Sequence, residues 1–262
     1  MEALAEQVEA VVLVGAQAVY LRTQDADLST QAYTADGDLA LDPNALADEP
    51  RLEQAMRSAG FFQQPAGSGQ PGQWYRTEKI GVLTRDIPVD LLVPEIFAGE
   101  KGRRSAGIPP HDRMAARKVA GLELALFDSD VMYVSSLEPA ADPRHLEFKV
   151  AGITALLVAK AYKLGERLEA SGKSRVIAKD AGDVYRLMIG SNVEDVAATF
   201  DRLRQSEEIA EIVRTGLARL HTQFGRPRAP GVVLAQQALS GAVPPERVTA
   251  IATTYVGQLP DS

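Results

Sequence analysis

Two Asp-x-Asp triplets, Asp25/Asp27 and Asp36/Asp38, lie eleven residues apart in the stretch QDADLSTQAYTADGDLALDP. On a strand, residues i and i+2 share a face, so such a triplet can aim two carboxylates at one point. Asp25-Ala-Asp27 runs into Leu-Ser-Thr-Gln, turn and capping residues without alternation, and reads as loop. Asp36-Gly-Asp38 runs directly into Leu39-Ala-Leu41 and reads as strand. A third acid, Asp90, stands inside the apolar run IPVDLLVP, where an unpaired charge is costly, so something cationic should face it. Three carboxylates on neighbouring strands make an all-oxygen donor set suited to a pair of Mg²⁺ ions, which clamp the oxygens of an in-line phosphoryl or nucleotidyl displacement. Spacing alone leaves a blander alternative open, in which Asp36 and Asp38 cap a turn and Asp90 lies at a sheet edge.

The surrounding elements must position these acids. Val11–Val14 is an apolar run ending at Gly15, where the helical spacing of Ala18, Val19 and Leu21 begins, which predicts strand, tight turn, helix. Such a turn exposes backbone N–H groups at a helix N-terminus and forms a cradle for phosphate. Residues 2–10 read as a short helix, Asp38–Asp42 as a short strand closed by Pro43, and Glu49–Phe61 as an amphipathic helix with Leu52, Met56 and Phe61 on one side. Gln64–Gln73 is Gly/Pro/Gln-rich and reads as loop. Strands are predicted at Ile80–Leu83 and Ile87–Val93, joined by Thr84-Arg85-Asp86, and at Leu122–Phe127 and Val131–Val134, with a basic loop over 99–112 between the two pairs. Beyond about Phe148 the periodicity is helical throughout: Ile153–Ala170, Asp180–Gly190, Val193–Arg204, Ser206–Phe224, Val232–Ser240 and Pro244–Val256. The expected fold is α+β, with an N-terminal domain (1–148) built on a mixed or antiparallel sheet flanked by helices, and an all-helical C-terminal domain (149–262).

Composition narrows the chemistry. The 262 residues are 45% hydrophobic and 24% charged, ordinary for a globular protein. The opening MEALAEQVEAVVLVG places acids where a signal peptide needs Lys or Arg, and no apolar stretch approaches the roughly 20 residues of a membrane span, so a cytoplasmic location is expected. The absence of cysteine removes thiol nucleophiles and Cys-ligated zinc, and His111, His145 and His221 are scattered, so oxygen must hold any metal. A net charge of −7 argues against a nonspecific nucleic-acid coat. Charge is uneven, however: Lys101–Val119 nets +5 and Leu156–Asp180 nets +3. Either segment suits a local polyanion contact or a plain solvated face.

Taken together, Val11–Ala16 (VVLVGA), then Thr34-Ala35-Asp36-Gly37-Asp38-Leu39, then Asp90 in IPVDLLVP resemble the nucleotidyltransferase superfamily related to DNA polymerase β. Its signature is an apolar strand, Gly with Gly or Ser, a helix, Asp-x-Asp on the next strand, and a third acid. The second half resembles the AbiEii-type branch, which includes the MenT-like toxins of toxin–antitoxin pairs, through LLVAKAYKLGER (Leu156–Arg167) followed by KDAGDVYRL (Lys179–Leu187). The likeness touches roughly residues 11–190.

The resemblance implies Mg²⁺-dependent transfer of NMP from an NTP to an acceptor hydroxyl, with Asp36 and Asp38 as metal ligands and Asp90 as third carboxylate or base. It implies that Gly15 and Ala16 meet phosphate, that Lys160 (or Lys163, one helical turn on) contacts the nucleotide, and that Asp183 (or Asp180) supplies the last acid. It further implies tRNA, at its 3′ end, as acceptor, a type IV toxin role and a cognate antitoxin partner. The candidate RNA contacts are then residues 99–119 with Lys163, Arg167, Lys173 and Arg175. Three departures stand out: Ala16 replaces Gly or Ser, leaving only its backbone N–H for phosphate; the spacing from Gly15 to Asp36 is long and contains Asp25 and Asp27; and Gly37 replaces an apolar residue. Lys160 and Lys163 also suit the polar face of an amphipathic helix, and Asp180 an N-cap. Two other readings remain open: the same chemistry on a small molecule or protein side chain, and a noncatalytic nucleotide- or partner-binding module.

Overall fold

The computed structural model describes residues 1–24, 34, 36–65, 68–99, 104–136, 140, 143–169 and 178–262. The chain forms two compact units, Met1–Gln17 with Thr34–Ala151 and Ala18–Tyr33 with Gly152–Ser262. Its elements are β1 (Val11–Val14), α1 (Gly15–Arg22), β2 (Gly37–Leu41), α2 (Leu52–Ser58), β3 (Gln73–Ile80), β4 (Leu83–Pro94), β5 (Arg117–Val119), β6 (Ser129–Ser135) and β7 (His145–Ala151). Then come α3 (Ile153–Glu169), α4 (Ala178–Ile189), α5 (Val193–Leu203), α6 (Ala210–Phe224), α7 (Pro230–Ala238) and α8 (Pro245–Val256). The fold is α+β, a mixed seven-stranded sheet flanked by helices followed by a helical C-terminal region.

The sheet runs β3-β4-β2-β1-β7-β6, with β5 on β4. All four residues of β1 are buried, as a Val/Leu run without polar alternation requires of a central strand covered on both faces. β1 pairs antiparallel with β2 and parallel with β7, and β2 pairs parallel with β4. Trp74 on β3 is fully buried and its Nε1–H donates to the Ala115 carbonyl at 2.9 Å, which satisfies the one polar atom of that ring.

Several boundaries differ from the sequence reading. The predicted strand Ile80–Leu83 is the tip of a long hairpin of β3 and β4, of which only Ile87–Val93 was expected as an arm: the turn is Gly81-Val82, not Thr84–Asp86, and Ile80 pairs with Leu83. Gly81 has φ +62 at the first central position, the requirement of a II′ turn, whose twist matches the flanking strands. Leu122–Phe127, expected as a strand, contains a 3₁₀ helix over Glu123–Leu126. Its Leu122/Leu124/Leu126 alternation mimics a strand, yet the burial of Glu123 with Leu124 and Ala125 follows consecutive positions. The predicted helix 49–61 is shorter, Leu52–Ser58, because a Schellman motif closes it: Phe61 N–H donates to Met56 O at 2.9 Å and Gly60 N–H to Arg57 O at 3.0 Å. Its N-terminus is capped from a distance, with His111 Nδ1 accepting the Leu52 N–H at 3.3 Å. Residues 2–10 form a 3₁₀ helix. The sequence reading contains no counterpart to β5, β7 or most of β3, although His145–Ala151 alternates outward His145, Glu147 and Lys149 with buried Phe148 and Val150.

In the helical unit, α3 buries Leu156, Leu157, Val158 and Leu164, while Tyr185, Phe200 and Phe224 are fully buried. Asn192 caps α5 by accepting the Glu194 N–H at 2.8 Å, and Pro residues open α7 and α8, where a missing N–H costs nothing. The chain from Ser206 to Ile209 is a turn, so α6 begins at Ala210 rather than Ser206.

Candidate functional site

The sheet lines up one row of residues from three strands. Val14, the last residue of β1, is the register partner of Asp38, and Asp38 is the register partner of Asp90 on β4. Partners across a ladder share a face, so the carboxylates of Asp38 and Asp90 emerge on the same side. Gly15 follows Val14 with φ +71, a conformation L residues rarely adopt, and a Cβ there would overlap the Asp38 carboxylate. The turn into α1 and the second acid of the triplet are therefore built against each other. Asp36 precedes β2, is exposed, and accepts a hydrogen bond from the Thr34 hydroxyl.

Asp90 is the electrostatic centre of this row. Its side chain is 14% exposed, and Oδ2 accepts from Arg117 Nη2 at 2.5 Å. Oδ1 is buried and has no hydrogen-bond partner among the described residues. Burial pushes the Asp90 carboxyl up to about 6; Arg117 opposes that rise, and the negative charges of Asp38 and Asp36 add to it. The cation expected to face Asp90 is thus an arginine of this chain. In the sequence Arg117 is one charge of the basic segment Lys101–Val119; it lies on a three-residue strand 27 positions away, and no local pattern marks the pairing.

In kind, three carboxylates are the donors a hard divalent cation takes: Asp36 and Asp38 act on Asp90, one of whose oxygens has no partner among the described residues. Among the described residues, though, no three Asp, Glu or His side chains are gathered closely enough to hold a metal ion. Asp25 and Asp27, like Lys101, Arg103, Lys173 and Arg175, lie outside the described residues.

The helical unit carries a second charged cluster. Lys160 on α3, 6% exposed, donates to Asp183 Oδ2 at 2.7 Å and Asp180 Oδ1 at 3.1 Å, both on α4. Asp180 also pairs with Lys163 at 3.5 Å and with Arg167. Lys160, Lys163 and Arg167 stand at i, i+3 and i+7, one stripe of a helix, which is why one carboxylate can meet all three. Burial alone would lower the Lys160 pKa, but Asp183 and Asp180 outweigh it and push it up to about 12. Asp180 lies below its usual range: burial works against ionisation, and Lys160, Lys163 and Arg167 overcome it. The alternatives Asp180 and Asp183 thus join in one cluster, whereas the lysines differ: Lys160 is enclosed by carboxylates, and Lys163 is 47% exposed. Nearby on the same unit, Arg186 and Lys179 lie over the Tyr20 ring, 5.5 and 5.9 Å from its centroid. That grouping was missed because Tyr20 and Arg186 are far apart in sequence.

No protein-family model matches the chain, and no curated protein does. Among solved structures it is similar to the crystal structure of an antigenic nucleotidyltransferase-like protein from Paracoccidioides brasiliensis, with 13% sequence identity, coverage of 81% of this chain and 89% of that one, and a TM-score of 0.41. Among the described residues, no helix is long and apolar enough to cross a membrane.

Proposed function

We propose that this protein is a Mg²⁺-dependent nucleotidyltransferase that moves NMP from an NTP to an acceptor hydroxyl. The observation that carries the reading is the row formed by Gly15, Asp38 and Asp90, with Asp36 two residues before Asp38. Asp36 and Asp38, with Asp90 as third carboxylate, are the residues that would hold the metal. When bound, such an ion neutralises charge developing on the phosphoryl oxygens and orients the attacking and leaving groups. In the reaction, the acceptor oxygen bonds to the α-phosphorus while the bond to the β-phosphate oxygen breaks; pyrophosphate leaves and the hydroxyl proton passes to solvent. The chain's own part is to fix the carboxylates by strand register and to hold the Gly15 turn open. The N–H groups of Gly15 and Ala16 would then meet phosphate at the start of α1, beside the Asp38 carboxylate.

On the helical unit, the reading gives phosphate contact to Lys163. What supports this choice is exposure: Lys160 is occupied by two carboxylates and serves to order Asp180 and Asp183. The proposed acceptor is the 3′ end of tRNA, and the proposed role that of a toxin with a cognate antitoxin; both rest on the motif resemblance. The basic segments support an RNA acceptor less than their charge suggests, because Arg117 is committed to Asp90 and Arg167 to Asp180.

Purified protein with Mg²⁺ and each labelled NTP should transfer label to tRNA, and Asp36→Ala should not. Transfer unaffected by that change would sink the reading. Label on an aminoglycoside or a protein in place of tRNA would keep the chemistry and replace the acceptor; calorimetric NTP binding with no turnover on any acceptor would mark a binding module.

A further inference from the structure

The sheet ends at β6, and that edge is open: among the described residues, no strand pairs with its far side. Ser136 N–H donates to Arg144 O at 3.1 Å, which makes 136/144 a bonded rung of the β6–β7 ladder. Bonded rungs alternate in an antiparallel ladder, so Asp130, Met132 and Val134 bond to β7, while Ser129, Val131, Tyr133 and Ser135 turn their N–H and C=O groups to the open edge. Val131 and Tyr133 share one face and are both 59% exposed, and the Tyr133 ring stacks on His145 at 4.7 Å. Edge strands are ordinarily guarded by charge or by covering chain. The strand at the other end of the sheet is guarded in both ways: β3 carries Arg76, Glu78 and Lys79, and Phe62 exchanges 2.8 Å backbone bonds with Tyr75. Strand β6 has a single charge, Asp130, on the face opposite Val131 and Tyr133, and neither lysine nor proline.

We infer that the open edge of β6 pairs antiparallel with β6 of a second copy of this chain, about a two-fold axis at Met132, joining the two sheets into one. Outward backbone groups meet outward groups only in registers that set odd-numbered residues opposite odd ones. Of these, the register centred on Met132 engages all seven residues Ser129–Ser135. It sets Val131 opposite Tyr133 of the second copy, twice by symmetry, and Ser129 opposite Ser135, so the strand is complementary to itself. The charges fit as well. Asp130 meets Val134, so no like charges face each other, and each row across the junction runs from Lys149 through Val131 and Tyr133 of the second copy to its Glu147. A different partner strand would have to supply this match; the chain itself already holds it.

The test combines sedimentation of the full chain over a concentration series with cysteine pairing, which is clean because the chain has no cysteine of its own. Wild type should sediment as a concentration-dependent dimer. Val131→Lys, at an exposed position where melting should not change, should weaken dimerisation at least about tenfold. Met132 lies opposite itself in a non-bonded rung of the inferred junction, with Cα atoms about 4.5 Å apart, so Met132→Cys should give a covalent dimer under mild oxidant. Asp130→Cys should not, because its counterpart in the second copy is four residues away in register, roughly 13 Å along the strand. The cysteine variants decide the matter if the lysine variant does not fold. A wild type monomeric at every concentration, a dimer that Val131→Lys leaves intact, no cross-link at Met132→Cys, or equal cross-linking of both cysteine variants would each overturn the inference and leave the nucleotidyltransferase reading untouched.

Discussion

Gly15 and Asp38 are mutually exclusive with any larger residue at position 15: the Asp38 carboxylate fills the space a Cβ would need, and the backbone there has φ +71. Gly15→Ala should therefore cost at least about 1–2 kcal/mol from the left-handed backbone alone, with displacement of Asp38 in addition. Urea unfolding measures the first effect, and label transfer from NTP should fall with the second. Ala16→Ser, which only adds a hydroxyl at the turn, should leave stability within about 0.5 kcal/mol of wild type.

The two aspartate triplets supply an internal contrast. Asp38→Asn keeps shape but removes one charge from the row, and label transfer should drop by at least about 100-fold, while Asp25→Ala should leave it unchanged. Equal losses from both changes would remove the distinction between strand and loop triplets.

Asp90 should make the stability of the metal-free protein depend on pH in an unusual direction. Its folded pKa, pushed up to about 6, exceeds the unfolded value of about 3.9, so the native state binds the proton more tightly. Stability from this group therefore rises as pH falls from about 7 towards 4, by on the order of 1–3 kcal/mol. The measurement is the difference in melting between wild type and Asp90→Asn across that range; a flat difference would contradict it.

The Lys160 cluster is limited by pH at both ends of the scale. Asp180 is depressed, so its contribution is present above about pH 4 and is lost as pH falls through its folded value. Lys160 is raised to about 12, so its contribution is intact below about pH 10 and is lost as pH climbs through 12. Lys160→Met leaves Asp183 buried without its cation and should cost about 3–5 kcal/mol. Lys163→Ala should leave melting nearly unchanged while weakening NTP binding in calorimetry.

A helix-favouring substitution should destabilise α3. Gly→Ala inside a helix normally gains up to about 1 kcal/mol, but a Cβ on Gly165 would overlap the Arg219 guanidinium. Arg219 lies over the Tyr162 ring at 4.9 Å and beside Gln223, which donates to Ala161 O at 2.9 Å. Gly165→Ala should lower stability by about 1–3 kcal/mol, and Arg219→Ala in the same chain should recover part of that loss.

What the sequence made legible is what local patterns encode. The switch from an apolar run to helical spacing at Gly15 marks β1 and α1, and the long 3.6-residue periodicities mark α3 to α8. Asp38 and Asp90 are legible as strand acids, whereas Asp36, read as strand with them, lies just before β2; the pairing of Asp38 with Asp90 across β2 and β4 joins residues far apart in sequence and leaves no local trace. The same holds for Arg117: a three-residue strand has no period to detect, and the demand for a cation at Asp90 was readable while its supplier was not. The hairpin turn was misplaced for a different reason. Thr84-Arg85-Asp86 is polar because the outer half of β4 is solvated on both faces, which resembles a turn in composition alone.

Trp74 is the chain's single tryptophan, fully buried on β3, next to the Gln73 that stands opposite Asp90. The sheet unit thus carries the tryptophan, and with excitation at the red edge of the absorption band, where tyrosine does not absorb, emission reports on that unit. Its emission should be shifted to the blue in the native protein and move to the red when the sheet opens, whatever the helices do. Recorded beside the far-ultraviolet signal, which the helices dominate, it separates loss of the carboxylate row from melting of the Lys160 cluster in one unlabelled sample.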